Sequence, residues 1–547
     1  MSKLIIIPII ILFVFFAVYV MRCQSYFVHI LQLEGYKNKG YFHWFSENFK
    51  RIIKPLAIIG IVLLLVYLFL SNKILIFSAL HIPPQTVGKV LSIVIFWLAM
   101  VFSIISVIKY HKICKMKDAK KPLVFTTRVK RLYACIIILV AIAALLQWIF
   151  KKSCVYLLVI VLLPLLAPFA NLLMNPIEIC IKRHFFNDAK RKIAARTDLL
   201  KIGITGSYGK TSVKFVLGTI LQQKFDTLVP PQSYNTPMGL TRVIREQMTD
   251  KNQVFIAEMG AKNIGDIKEL VGLVHPQIAI LTSIGPQHLE TFKNMQNIID
   301  TKYELIEGLS KSSGVAFFNG DNDYCRKLYE QTEVHKKVLY AMDMDGDVRA
   351  TDISASCTGS TFTITAKEGV FSCETKLLGR HNILNICGCI AVALELGLTI
   401  DEIKTGVASL QPIEHRLQIV PTDNGITVID DAFNANPQGV LAALEVLSCF
   451  SGQRFIITPG LVELGQSEEQ ENFKFGQAMA KVATYAFLIG PKHSKPIYDG
   501  LVSEGFLRDN IYVAKTLNEA TTVMTHLTKV GDVILFENDL PDNYNEE

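Results

Sequence analysis

The eleven cysteines of this 547-residue chain include no C-x-x-C pair. That excludes zinc ribbons and dithiol redox sites, which need such close pairs. The cysteines are scattered, and no structural disulfide is expected among them. There is no internal repeat and no low-complexity segment, which excludes a solenoid and a compositionally biased tract. Acidic residues are scarce at one end. Residues 1–200 hold 6 Asp and Glu against 26 Lys and Arg, a net +20, while the remainder holds 42 against 30, a net −12. The acidic remainder argues against nucleic acid as a partner. The basic part suits anionic lipid headgroups.

Charge is missing altogether from five apolar runs, approximately Leu4–Val20, Pro55–Leu70, Val90–Ile108, Leu132–Phe150 and Val155–Leu173. Each approaches the length that spans a bilayer. "VYVMRCQS" offers no small-x-small cleavage site after the first run, so a retained span is expected rather than a signal peptide. The loops between runs differ in charge. Segments 21–54 and 109–131 carry six and nine Lys and Arg, whereas 71–89 and 151–153 carry two each. The positive-inside rule then sets the N-terminus outside and everything after Leu173 inside. The expectation is a multi-pass protein of the cell membrane, its catalytic domains in the cytoplasm and the lipid bilayer as a partner. The runs hold no charged residue that could line a pathway, which counts against an ATP-driven transporter, the competing reading.

After a basic linker at 176–197, strand-like and helix-like segments alternate: "LLKIGIT", "KTSVKFVLGTILQQ", "QVFIAEMG", "IGDIKELVGLV", "QIAILTSIG", "NMQNIIDTKYELIEGL". Such alternation predicts a mostly parallel sheet covered on both faces. A stretch of period-2 alternation follows in "DISASCTGSTFTITAKEGVFSCETKLLG". Near Gln411 the strand–helix alternation restarts. The expected fold class is an α-helical transmembrane bundle (1–175), then α/β: a central P-loop domain with a mostly parallel sheet (198–411) and a smaller C-terminal α/β domain (412–547).

"IGITGSYGKTSVKFVLGTIL" at 202–221 has the chemistry of a phosphate cradle. A strand enters it and a helix leaves it, so the turn aims backbone N–H groups and a positive helix end at an anion. Lys210 would reach the outer phosphates, and the Thr211 hydroxyl would hold Mg²⁺. Gly206, Ser207, Gly209 and Ser212 complete the turn. The strict P-loop pattern wants a glycine where Ile204 stands.

"ITGSYGKTS" resembles the turn of the Mur ligase family, typically TG-x-x-GK-T/S. Later motifs fall in the family's order: "SYNTPMGL", "AEMGA", "TSIGPQHLETF", "DTKYELIEGL", "LLGRHNILNICGCIAVA", and then "IDDAFNANPQGVLAALEVL" with "GLVELGQSEEQ". The last two are closest to its MurF branch, which adds D-Ala-D-Ala. The resemblance covers about residues 198–540. It implies an ATP- and Mg²⁺-dependent ligase that joins an acid to an amine through an acyl phosphate. It implies catalytic roles for Lys210, His288, Lys302 and Arg416. Metal ligation falls to Thr211, Glu258, His288 and Lys302, the last as a carbamate. Nucleotide contacts fall to Asn385, Arg416 and Asp431, with His381 and Asn382 beside them. Asn382 could equally cap its helix. Asn434 and Asn436 would cap the helix that follows or meet nucleotide, Asn434 being assigned to nucleotide. Asn235 and Thr236 would bind substrate.

The sequence departs from the family at three places. The soluble domain that holds a UDP-sugar is replaced by the five apolar runs. Ala432 stands where a serine is commoner. "GDVILFENDLPDNY" is acidic where MurF-like chains are basic. The expected substrates are therefore a UDP- or lipid-linked cell-wall precursor and an amino-acid or dipeptide amine. A relative of poly-γ-glutamate synthetases is the alternative ligase.

Overall fold

The computed structural model describes residues 20–50, 52–53, 122–150 and 162–539, with the exception of 232 and 434. It divides into two units, residues 1–181 and 182–547.

The described part of the first unit is helical. Helices Thr127–Phe150 and Leu163–Ala195, the second running on into the other unit, bury Val129, Leu132, Ile136, Leu163 and Ala167 against Phe27, Leu31 and Tyr41. Pro168 lies inside its helix, so it lacks the N–H that would bond the carbonyl four residues back. That carbonyl, of Pro164, accepts instead from the Tyr41 hydroxyl. Arg131 grips Glu178 with two parallel bonds at 2.7 and 2.9 Å.

These helices correct the expectation of a multi-pass membrane protein. Among the described residues one helix, Leu163–Ala195, is long and apolar enough to cross a membrane. It takes in the fifth run from Leu163 to Leu173, the part before residue 162 lying outside the described residues, and continues through "IKRHFFNDAKRKIAA". The fourth run lies in Thr127–Phe150, which uses one face to build the core just described and leaves Ile138 and Ile149 exposed on another. Length and hydropathy do not distinguish a span from a helix that packs a core. The first three runs fall outside the described residues, apart from Val20. Neither the transmembrane bundle nor the bilayer as a partner is supported.

The second unit contains the sheets expected from the alternation. The first has nine strands: β1 (Leu200–Thr205), β2 (Thr227–Leu228), β3 (Val254–Glu258), β4 (Ile278–Leu281), β5 (Val315–Asn319), β6 (Lys336–Ala341), β7 (Val348–Ser356), β8 (Gly359–Ala366) and β9 (Gly369–Thr375). Their order is β2-β3-β1-β4-β5-β6-β7-β8-β9. Pairing is parallel up to β7, then antiparallel through β8 and β9. The antiparallel strands are the period-2 stretch of the sequence. Strand β1 runs LKIGIT with its last four residues buried, because neighbours and helices cover it on every side. The chain leaves β1 toward β3 and returns to its other side as β4, so the ends of these strands form a topological switch point, where open sheets bind ligands.

The second sheet has six strands: β10 (Gln418–Val420), β11 (Thr427–Asp431), β12 (Arg454–Thr458), β13 (Tyr485–Ile489), β14 (Ile511–Ala514) and β15 (Val533–Glu537), in the order β10-β11-β15-β12-β13-β14. Only β10 is antiparallel to its neighbour. The last strand among the described residues, β15, is inserted between β11 and β12. Asp431 and Glu537, the final residues of β11 and β15, are therefore register partners.

Candidate active site

The turn after β1 is built on two glycines. Gly206 has φ 154° and Gly209 has φ 79°, both backbone conformations that side chains disfavour. A Cβ on Gly206 would stand 2.1 Å from Thr282 Oγ1, and one on Gly209 would stand 2.8 Å from Asn385 Oδ1. The turn is locked from below by Ser207, whose hydroxyl donates to Gly285 O at 2.9 Å and accepts from Gly285 N–H at 3.1 Å. Helix Lys210–Leu221 leaves the turn with no side-chain cap, so its first N–H groups stay available to an anion.

Lys210 arches back and donates to Gly206 O at 2.7 Å and Ser207 O at 2.9 Å. Its pKa falls to about 8, chiefly through desolvation, which Glu258 opposes and nearby Arg416 reinforces. A phosphate at the turn would replace the carbonyls as its partner.

Glu258, at the end of β3, is the hub of a buried network. Its Oε1 accepts from the Thr211 hydroxyl at 3.0 Å and from Asn235 Nδ2 at 3.0 Å. Its Oε2 lies 3.2 Å from Lys214 Nζ, and both side chains are essentially inaccessible. Burial pulls Lys214 down in pKa and Glu258 pushes it back up. The sequence reading missed Lys214, which follows Lys210 at the i+4 spacing of one helix face and lies among the buried Val213, Val216 and Leu217 of its helix. Hard oxygen donors beside a phosphate turn are the chemistry Mg²⁺ uses, so Thr211 and Glu258 fit such an ion. Among the described residues there is no cluster of three or more His, Cys, Asp or Glu that could hold a metal by itself.

Lys302, on helix Met295–Glu307, is 2% exposed. Burial holds its pKa well below the usual lysine value, and Lys210 lowers it further. His288, in a left-handed conformation at φ 52°, hydrogen-bonds through Nδ1 to Glu463 Oε2 at 2.5 Å. Glu463 also has φ 64°, and its other oxygen lies 3.6 Å from Lys262 Nζ. This carboxylate, reaching from the loop after β12, was missed by the sequence reading although its motif was noticed. The hydrogen bond to His288 is the main cause holding the Glu463 pKa down. A depressed carboxyl pKa gives stability that is full above the unfolded value and is lost as pH falls through the folded one. Glu463→Gln is thus expected to cost about 1 kcal/mol at neutral pH and almost nothing in acid. Denaturant titrations at the two pH values check this.

A cavity of about 220 Å³ opens where the two sheets' strand ends meet. Its lining includes Gly209, Ser212, Asn385, Arg416, Asp431 and Glu537. Arg416 stacks over the Phe433 ring, 4.7 Å from its centroid. His381 also lines the cavity, and its pKa is driven down to about 4 by burial and then by Arg416. The cavity therefore has a neutral imidazole beside a cation.

The other expected residues are spent locally. Thr236 caps helix Pro237–Glu246, its hydroxyl accepting from Gly239 N–H at 3.2 Å. Asn436 likewise caps helix Pro437–Ser448 through Gly439 N–H at 2.9 Å. Asn382 is no cap: Gly379 holds that position, and Asn382 Nδ2 donates to Leu378 O at 2.8 Å. Asn434 lies outside the described residues.

A phosphate-binding turn at a topological switch point, sharing its cavity with an arginine from the segment before β10 and a carboxylate at the end of β11, defines a nucleotide-dependent enzyme of two α/β sheets. The Mur ligase middle domain model matches residues 204–393, and the Mur ligase glutamate ligase domain model matches residues 415–537. The chain belongs to the Mur ligase family. It is 30% identical over 276 residues to the UDP-N-acetylmuramoyl-tripeptide–D-alanyl-D-alanine ligase of Buchnera aphidicola, covering 50% of this chain and 60% of that protein. It is 28% identical over 344 residues to the Bacillus subtilis enzyme of the same name, covering 61% and 72%. The chain thus spans about three fifths of the first relative's length. MurF from Acinetobacter baumannii shares the fold with a TM-score of 0.60 at 24% identity, covering 66% of this chain and 78% of that one. MurF from Thermotoga maritima in complex with ADP does so with a TM-score of 0.59 at 23% identity, covering 65% and 80%.

Proposed function

We propose that the chain is an ATP-dependent amide ligase of the MurF branch, joining D-Ala-D-Ala or a related amine to a UDP-linked cell-wall precursor. The observation that carries this reading is the meeting of Lys210, Thr211 and Glu258 at one turn, whose Gly209 and Ser212 line the cavity that Arg416 and Asp431 also line. The ligand-facing parts are residues 198–411 and 412–547, a domain division that rests on the sequence pattern and the two strand sets.

Phosphoryl transfer needs positioning and charge neutralisation more than covalent chemistry from the protein. The turn's N–H groups and Lys210 receive the phosphates, and Arg416 reaches them from the segment before β10 with a planar fork suited to phosphate oxygens. Asn385 and Asp431 orient the nucleotide. The substrate carboxylate attacks the γ-phosphate and forms an acyl phosphate, ADP departing. The amine then attacks the acyl carbon and expels phosphate, and its proton passes to solvent or a base. Thr211 and Glu258 would hold Mg²⁺, with His288 at a second position, and the ion would neutralise charge developing on the transferred group. Asn235, tied to Glu258, fixes that carboxylate at the substrate side.

Lys302 is read as the carbamate-bearing residue. Only a neutral amine captures CO₂, and burial favours the neutral form. Lys302→Ala is expected to lose most activity and to regain part of it with added short carboxylic acids. Failure of every acid to restore turnover, in a protein that still binds ADP, overturns the carbamate.

The overall reading is tested by phosphate release with ATP, a UDP-linked muramoyl tripeptide and D-Ala-D-Ala. Release that needs both co-substrates and yields a new amide supports it. Release that never depends on an amine sinks it.

A further inference from the structure

Glu537 is the least explained polar group of the cavity. It ends β15, is 1% exposed, and among the described residues neither carboxyl oxygen finds a hydrogen-bond donor. Buried polar atoms rarely go unpaired, so this one needs a reason. Its register partner across the parallel ladder is Asp431, which also lines the cavity. Among the described residues the Asp431 carboxyl has one donor, Leu417 N–H at 3.2 Å on Oδ1. Arg416 is the cation that acts on both carboxyls, yet no ion pair joins it to either among the described residues. Its guanidinium lies over Phe433 instead.

Two adjacent carboxylates, Glu537 fully buried and Asp431 partly so, disfavour ionisation of both. A proton placed between them turns two acceptors into a donor and an acceptor and satisfies the orphaned oxygens together. We propose that Glu537 and Asp431 form a proton-sharing carboxyl dyad, and that Glu537 is a positioning residue. The dyad's single negative charge faces Arg416 and keeps it aimed into the cavity for a nucleotide phosphate. One charge balances the arginine, whereas two would hold it as an ion pair and none would leave it uncompensated. Burial is the main cause raising both pKa values, Asp431 to about 6 and Glu537 well above its usual range, in keeping with one retained proton. The other charged or titratable groups acting on this set are Asp430 on Asp431, and Glu258, Lys210 and His381 around Arg416.

The segment does further work in holding this arrangement. Asn538, the next residue, sits at φ 68° and ties the loop after β11 to the loop after β12. Its Oδ1 accepts from Ala435 N–H at 3.2 Å, and its Nδ2 donates to Gly460 O. The acidic "FEN" is thus built into the strand ends and is not a surface charge run.

The inference rests on the reading of this cavity as the nucleotide site, and the experiment separates the two. Infrared difference spectra of the full chain at neutral pH, with the glutamates isotope-labelled, are expected to show a protonated Glu537 carboxyl, lost in Glu537→Gln. ADP affinity by calorimetry should change less than about twofold in Glu537→Gln, whose amide still donates to Asp431. It should fall at least about tenfold in Glu537→Ala, because a hydrogen bond to a charged group is removed. Asp431→Asn should abolish the shared proton without unfolding the sheet. Absence of a protonated Glu537 in the wild type overturns the dyad, whatever the variants do. Equal ADP affinity in Glu537→Gln and Glu537→Ala overturns the positioning role. If Arg416→Ala leaves ADP affinity unchanged while the carboxyl band persists, the dyad stands and the nucleotide reading of Arg416 fails.

Discussion

Lys210→Ala is expected to lower kcat for ATP-dependent ligation by roughly 10²–10³-fold, the usual cost of removing one charge-stabilising group from a phosphoryl or acyl-transfer site. The fold should survive. The lysine's own bonds go to Gly206 O and Ser207 O within its turn, and the turn is held independently by Ser207 and the Gly285 backbone. Unfolding free energy should therefore change by no more than about 1 kcal/mol. Stopped-flow phosphate release checks the first number and denaturant titration the second. A variant that keeps wild-type turnover would show that the turn is not the phosphate site. Lys210→Arg should rescue poorly, since a planar guanidinium does not replace a compact ammonium folded into so tight a turn.

The largest effect on stability is expected at Lys214, not at a residue of the turn. The Lys214–Glu258 pair is closed from water on both sides. Such a pair is weak evidence of net stabilisation, but removing one partner leaves an uncompensated buried charge and costs about 3–5 kcal/mol. Lys214→Met should show that loss, partly reduced by the Thr211 and Asn235 bonds that Glu258 keeps. The double variant Lys214→Met with Glu258→Gln should recover most of the stability and none of the activity. Thermal unfolding together with phosphate release reads both. If the single and double variants are equally unstable, the cost comes from packing around the helix and not from the stranded carboxylate. Lys214 would then be a core residue that happens to carry an amine.

These two lysines differ in how visible they are before folding. Lys210 is announced by the glycines around it, because a turn that brings backbone to a phosphate needs residues without a Cβ. Lys214 sits in "SVKFVLG" and reads as a polar interruption of an apolar helix. The approach of Glu258 from β3 gives it a carboxylate partner. The same holds for His288. Its loop position and motif are legible, whereas the carboxylate it meets, Glu463, is 175 residues away in sequence. The fourth apolar run misled for a related reason. Helix Thr127–Phe150 has the composition of a span, but one of its faces packs a core, and composition does not record what a face meets.

The amino-acid sequence by itself determined the local grammar of this protein. It set the strand–helix alternation, the glycine turn between β1 and its helix, the antiparallel stretch after β6, and the order of motifs that places the chain among the Mur ligases. Each of these depends on neighbours within a few residues. Tertiary structure alone decided the contents of the cavity. Strand β15 inserts between β11 and β12, and that crossover sets Glu537 beside Asp431 and opposite Arg416. No periodicity or spacing encodes such a neighbourhood, because strands pair across gaps of any length and are selected by the burial of whole faces.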